Sequence, residues 1–257
     1  NLLKPAICDS LIRIGSKYDG GYVLPQEILR NIEVLISLGI SIDWSFDKAL
    51  KNINPNMPIH AYDHTISKEF FLKNAPNGIF RLFTLRNGPR KCYEKFRLLN
   101  SYLKFFQNTN IHYQERVNNA VEASYDATVE KIFSRVQGKN NIFLKIDIEG
   151  TEYLVIEKIL EYKNQILGLA IEFHETNKNR NIFLKLVNKL LVDFELIHLH
   201  ANNCGSIGDD DLPDALELSL IAKNRVYVHG SRDELPIANL DFPNDPKKID
   251  YKIIFAK

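Results

Sequence analysis

Glu33-Val34-Leu35-Ile36-Ser37-Leu38-Gly39, continuing as Ile40-Ser41-Ile42-Asp43-Trp44-Ser45-Phe46, is the stretch on which the fold turns. Its short apolar run reads as a buried strand, and Gly39 breaks it. From Asp43 to Lys51 the apolar residues Phe46, Ala49 and Leu50 recur at helical spacing, until Asn54-Pro55-Asn56 stops the helix. Ile59-His60-Ala61-Tyr62-Asp63 then reads as a second strand, so a β-α-β unit is complete by Asp63. Ser67 is placed to cap a helix over Lys68 to Asn74.

The alternation continues outward. Strands are expected at Ile111 to Asn118, Ile142 to Ile148, Leu167 to Phe173, Glu195 to His200 and Leu216 to Ala222. Helices are expected at Asp126 to Val136, Thr151 to Tyr162 and Asn181 to Val192, and none separates the last two strands. This predicts an α/β fold with a Rossmann-like sheet, mostly parallel, with one antiparallel strand near the C-terminus. Residues 1–257 read as a single domain, with a helical insertion over 74–108 and peripheral additions at 1–24 and 231–257. Within the insertion, Tyr93, Phe96, Leu99, Leu103 and Phe106 mark one helix from Arg90 to Phe106.

Composition narrows the function classes. Lys and Arg total 33 against 32 Asp and Glu, for a net charge of +1, and like charges never run to five in a row. No nucleic-acid partner is therefore expected. The chain has no run of apolar residues long enough to span a membrane and no signal-peptide pattern at its start, so the expectation is a cytoplasmic protein. Cys8, Cys92 and Cys204 are far apart and read as reduced thiols.

In open α/β sheets ligands bind beyond the C-terminal ends of the strands, and four such ends carry polar residues. At the first, Gly39 lets backbone approach a ligand, although dinucleotide fingerprints have three glycines. At the second, Asp63 follows that turn by about the spacing at which an acid holds the hydroxyls of an adenosine ribose. A helix cap or surface turn is the alternative reading. At the third, Leu144-Lys145-Ile146-Asp147-Ile148-Glu149-Gly150-Thr151-Glu152 puts Asp147 and Glu149 on one side of a strand by its period of two. They suit orienting a hydroxyl, acting as base or binding a divalent metal; otherwise Asp147 caps the helix and Glu149 is solvated. The fourth is the pair Glu172-Phe173-His174 and His198-Leu199-His200-Ala201-Asn202-Asn203. His174 is a candidate general base, with His200 and the deeper His198 as weaker candidates.

These residues resemble the FkbM-type methyltransferases. Phe143 to Glu152 looks like that family's Leu-Lys-Ile-Asp-Val-Glu-Gly-Ala-Glu signature, and Leu38 to Phe46 looks like a variant of its cofactor loop. Asp19-Gly20-Gly21-Tyr22-Val23, Asp63, Ile171-Glu172-Phe173-His174 and His200-Ala201-Asn202-Asn203 match in order, from about residue 12 to residue 223. The resemblance implies a class I methyltransferase fold that binds S-adenosylmethionine. Ser37, Gly39, Ser41, Asp43, Trp44, Ser45 and Phe46 would border its methionine end, Asp63 its ribose, and Asn118 or Asn119 its adenine. It also implies methyl transfer to a hydroxyl of a sugar or glycan, for which bacterial surface polysaccharide, such as capsule, is the natural setting. The base is Asp147, Glu149, His174 or a metal's ligand. A metal, magnesium or manganese, would sit on Asp147 and Glu172, with His200 nearby. The insertion is a natural lid or homo-oligomer contact. The rivals are an NAD-dependent oxidoreductase and a catalytically silent S-adenosylmethionine-binding module.

Overall fold

The computed structural model describes residues 2–74, 89–208 and 212–255. The chain begins with a hairpin, β1 (Leu11–Gly15) and β2 (Gly21–Pro25). It then lays down β3 (Val34–Leu38), α1 (Ser45–Ile53), β4 (Ile59–Tyr62), α2 (Lys68–Asn74), α3 (Pro89–Phe105) and β5 (Asn110–Tyr113). A short pair, β6 (Arg116–Val117) and β7 (Asp126–Ala127), leads into α4 (Val129–Ser134) and β8 (Ile142–Ile146). After these come α5 (Glu152–Ile159), β9 (Ile166–Phe173), α6 (Arg180–Asp193), β10 (Phe194–Ala201) and β11 (Leu216–Ala222). A small pair, β12 (Glu234–Leu235) and β13 (Ile253–Ile254), closes the described chain.

Seven strands form one sheet in the order β10-β11-β9-β8-β3-β4-β5. β5, β4, β3, β8 and β9 pair in parallel, whereas β11 runs antiparallel to both of its neighbours, β9 and β10. This is the expected α/β, Rossmann-like sheet, mostly parallel with one antiparallel strand near the C-terminus. The chain leaves β3 toward β4 on one side and reaches β8 on the other, so the crevice lies between the ends of β3 and β8.

Period-two alternation decides what covers each face. Val34, Ile36 and Leu38 of β3, with Ile142, Leu144 and Ile146 of β8, pack with Ile132 and Phe133 of α4, Val155 and Ile156 of α5, and Phe183, Leu186 and Leu190 of α6. On the other face Leu35, Ile59 and Phe143 meet Phe46 and Leu50 of α1 and Tyr22 and Leu24 of the hairpin. A third cluster joins Ile40, Trp44 and Ala61 to Phe71 of α2 and to Leu99 and Tyr102 of α3.

Several boundaries differ from the sequence expectation. The strand expected from Ile111 to Asn118 is two, because Tyr113 ends β5 and Arg116 begins a separate pairing with Asp126. The helix expected from Asp126 starts at Val129, with the Thr128 side chain accepting from the Lys131 N–H. Asp126 is instead a loop clip, bonded to Arg116 and to the backbone N–H groups of Glu122 and Ala123. Ser67 caps α2 as expected, its Oγ accepting from Phe70 N–H at 3.0 Å. The stretch 75–88 of the expected insertion lies outside the described residues. Cys8 is buried, Cys204 is exposed, and both are free thiols; nothing is described of the Cys92 side chain. Among the described residues, no helix is long and apolar enough to cross a membrane.

Candidate active site

The turn after β3 and the turn after β8 interlock. Gly39 adopts φ +77°, and a Cβ there would lie 1.7 Å from the Asp147 carbonyl oxygen, so only glycine allows this approach. Gly39 N–H donates to Tyr62 O, and Asp147 N–H donates to Leu38 O. Lys145, 4% exposed, points to the α1 face and donates to Gly39 O at 2.8 Å and to Asp147 Oδ2 at 3.1 Å. Beneath it, Asp47 of α1 is buried and accepts from the Ser37 hydroxyl. Burial pushes the Asp47 carboxyl up to about 6 although Lys145 and Ser37 pull it down.

Asp63 braces the same turn from the side. Its Oδ2 accepts from Ile40 N–H at 3.2 Å and Ser41 N–H at 2.8 Å, and its Oδ1 from Thr65 N–H at 2.7 Å and Thr65 Oγ1 at 2.6 Å. A carboxylate has about four lone-pair positions, and the protein fills all of them. Burial alone would raise this carboxyl, but the four bonds hold it below its usual range. Ile40 and Ser41 line the central cavity, which places Asp63 directly behind its wall.

The cavity has a volume of about 540 Å³, within the range of small-molecule sites. Ser41, Asp43, Asp147, Glu149, Glu172 and His174 all line it. The other loop residues do not. Trp44 and Phe46 are 2% and 1% exposed, and each is packed in core, Trp44 against Phe71, Tyr102 and Phe106, and Phe46 edge-on to Tyr22. Both were expected to border a cofactor; apolar burial claims them instead. Ser37 and Ser45 Oγ are also buried, and Asn118 accepts from the N–H of Asn119 beside β7.

Asp147, Glu149 and His174 converge, but not by strand periodicity. β8 stops at Ile146, and Glu149 has φ +52°, a left-handed turn that swings its carboxylate back toward His174. His174 Nε2 lies 3.8 Å from Asp147 Oδ1, 3.6 Å from Glu149 Oε2 and 3.8 Å from Glu172 Oε1. The organiser is Glu152, to which the sequence reading gave no role beyond closing the Phe143 to Glu152 signature. Fully buried, it accepts from Ile148 N–H and Gly150 N–H and holds His174 Nδ1 at 3.1 Å. Asp147 is therefore not the helix cap. Burial pulls the His174 ring down, but Glu152, Glu172 and Asp147 outweigh it and push the ring up to about 9. The surrounding acids thus favour the protonated form of the ring.

His200 does not join this cluster as the metal expectation required. Both of its ring nitrogens are engaged, Nδ1 with Glu217 at 3.3 Å and Nε2 with Asp250 at 3.2 Å. Burial opposes its protonation, but those two acids push it up to about 10. His174, not His200, is the histidine beside Asp147 and Glu172. His198 is paired with Asp241 at 3.0 Å and is structural.

A second acidic group, Asp19, Glu172 and Glu217, was not foreseen. Oxygens of the three lie within 4.8 Å of one another. Glu172 and Glu217 are directly opposed across the β9–β11 ladder, and both are buried. Burial, then Glu217 and Asp147, push the Glu172 carboxyl well above its ordinary range. The readable signal was an acid in an otherwise apolar strand, Leu216-Glu217-Leu218.

No protein-family model matches the chain, and no curated protein matches it in sequence. Distant likenesses occur among solved structures. A chain of the fibrillarin/Nop5p complex aligns at 15% identity and TM-score 0.39, over 75% of this chain and 74% of that one. For the Methanococcus jannaschii fibrillarin pre-rRNA processing protein the values are 10% and 0.39, over 76% and 68%. Precorrin-6y C5,15-methyltransferase from Geobacter metallireducens gives 10% and 0.38, over 81% and 94%. The fold assignment rests on strand order and direction, which are read directly from the sheet.

Proposed function

We propose that this chain is an S-adenosylmethionine-dependent O-methyltransferase acting on a hydroxyl of a sugar or sugar-containing metabolite, in bacterial surface polysaccharide synthesis. The observation that carries the reading is the meeting, at the β3–β8 crevice, of the Gly39 turn with the Asp147–Glu149–His174 cluster around one cavity. Support comes also from the resemblance of Phe143 to Glu152 to the FkbM signature.

S-adenosylmethionine, when bound, supplies an electrophilic methyl on a sulfonium. The carboxylate-rich cavity suits that positive charge. Ser41 and Asp43 would face the methionine end, and Asp63 would hold the ribose if Thr65 gives up its two bonds. Trp44, Phe46, Ser37 and Ser45 would support the turn from within. What remains for the protein is to align an acceptor oxygen and receive its proton. Asp147 and Glu149, carboxylates on the cavity wall, would receive that proton, since the acids around His174 favour its protonated form.

Asp147, Glu149 and His174 also fit a divalent cation, since one donor atom of each lies within 4.8 Å of the others. Such a cation, magnesium or manganese, would supply acidity to the acceptor hydroxyl and displace the His174 proton. Calorimetry should show binding of S-adenosylmethionine and none of NAD, and acceptor screening should yield S-adenosylhomocysteine. Absence of S-adenosylmethionine binding overturns the reading. Full turnover in excess chelator removes the metal from it.

A further inference from the structure

We propose that the outer face of α3, with α2 beside it, docks on an anionic lipid surface. The apolar residues that mark this helix in the sequence divide in the structure. Leu99 and Tyr102 pack inward on Ile40 and Trp44. Tyr93, Phe96 and Leu103 turn the other way and are 67%, 65% and 42% exposed. With the exposed Asn100 they recur at helical spacing and form one stripe, and Arg97 and Lys104, exposed as well, run along its edge. Single exposed apolar side chains are ordinary. Three in line, on a helix whose inner side is already buried, leave an apolar face without a partner among the described residues.

Charge says what covers that face. By sequence α2 and α3 carry seven Lys and Arg against two Glu, a net charge of +5, whereas the rest of the chain has 26 against 30, a net charge of −4. Elsewhere surface lysines are paired: Lys185 and Lys189 meet Glu157, and Lys163 meets Asp193. The side chains of Lys95, Arg97 and Lys104 have no ion pair or hydrogen bond among the described residues. Unneutralised cations beside an apolar stripe are the pattern of a helix lying in a membrane interface. There Tyr, Phe and Leu enter the headgroup layer while Lys and Arg meet lipid phosphates. A two-fold contact with a second copy would set this cationic face against itself. A nucleic-acid strand would engage the cations and the rings but not Leu103, which offers no surface for stacking. Ile40, on which α3 packs, also lines the cavity, so the lipid contact lies one layer of side chains from it.

Docking of this kind is a property of the folded surface and stands whether or not the chain transfers methyl groups. The test is flotation of the full chain with vesicles of phosphatidylcholine alone and of an equimolar mixture with phosphatidylglycerol. Binding to the mixture, none to phosphatidylcholine alone, and release by high salt are expected. Tyr93→Ser with Phe96→Ser, and Arg97→Glu with Lys104→Glu, should each weaken that binding about tenfold or more. All four residues are exposed, so both double variants retain the fold, which thermal melting checks. Lys185→Glu with Lys189→Glu, on α6, should leave binding unchanged. Absence of binding to the mixture, binding that persists in both α3 double variants, or an equal loss in the α6 variant overturns the proposal. So does a dimer in size-exclusion chromatography that Tyr93→Ser with Phe96→Ser dissociates, or tighter binding of oligouridylate than of the vesicles.

Discussion

Gly39 has no room for a side chain, since the Asp147 carbonyl occupies the place of its Cβ. Gly39→Ala should therefore destabilise the chain by roughly 2–3 kcal/mol, from left-handed strain together with the clash. Urea unfolding measures it, and Mn²⁺ affinity should fall in parallel because Asp147 is displaced. Asp63 makes a different kind of prediction. Its carboxyl is held below its unfolded value, so its contribution is complete above about pH 4 and is lost as pH falls through the folded value. Asp63→Asn should melt lower than wild type at pH 7, and the two melting temperatures should converge as pH falls below the ordinary carboxylate range. At this scale the sequence put Asp147, Glu149, Glu172 and His174 near strand ends, and they line one cavity. It misplaced Trp44 and Phe46, because adjacency in a loop does not say which side chains turn inward. Strand period was expected to put Asp147 and Glu149 on one side; a left-handed residue, not a strand, directs Glu149, and it turns toward His174.

Pairing between elements governs the next level. On β9 and β11, Glu172 opposite Glu217 retains its proton in the folded chain at pH values where the unfolded chain has lost it. Folded stability in the presence of chelator should thus decline as pH rises above about 4, and Glu172→Gln should flatten that decline. Melting temperature against pH in the two proteins decides it. The strands were legible because a sheet covered on both faces needs near-continuous apolar runs, as in Ile166–Phe173. The segments 111–118 and 126–136 were not. There the chain is governed by side-chain bonds to backbone, those of Asp126 and Thr128, which leave no periodic trace.

Across the whole molecule, the C-terminal segment is fastened to the sheet by buried polar pairs. His198 on β10 meets Asp241 at 3.0 Å, Asp241 also accepts from Ile237 N–H at 2.6 Å, and Asn203 accepts from Asp245 N–H at 2.7 Å. Asp241→Asn disturbs the buried bonds to His198 and to Ile237 N–H at once, so it should cost roughly 1–3 kcal/mol in equilibrium unfolding. No pattern in the sequence joins positions so distant, and the sequence reading therefore treated both ends as additions to a core. The Asn244–Asp19 bond closes a sequence separation of 225 residues. Contacts of that span form after local ones, since a long loop must be closed before they are rewarded. During synthesis the hairpin emerges before every strand of the large sheet and the Asn244 segment after them. Seating of that segment on the β1–β2 turn is thus a late step, and a chain without it would hold a finished sheet beside an unfinished pocket.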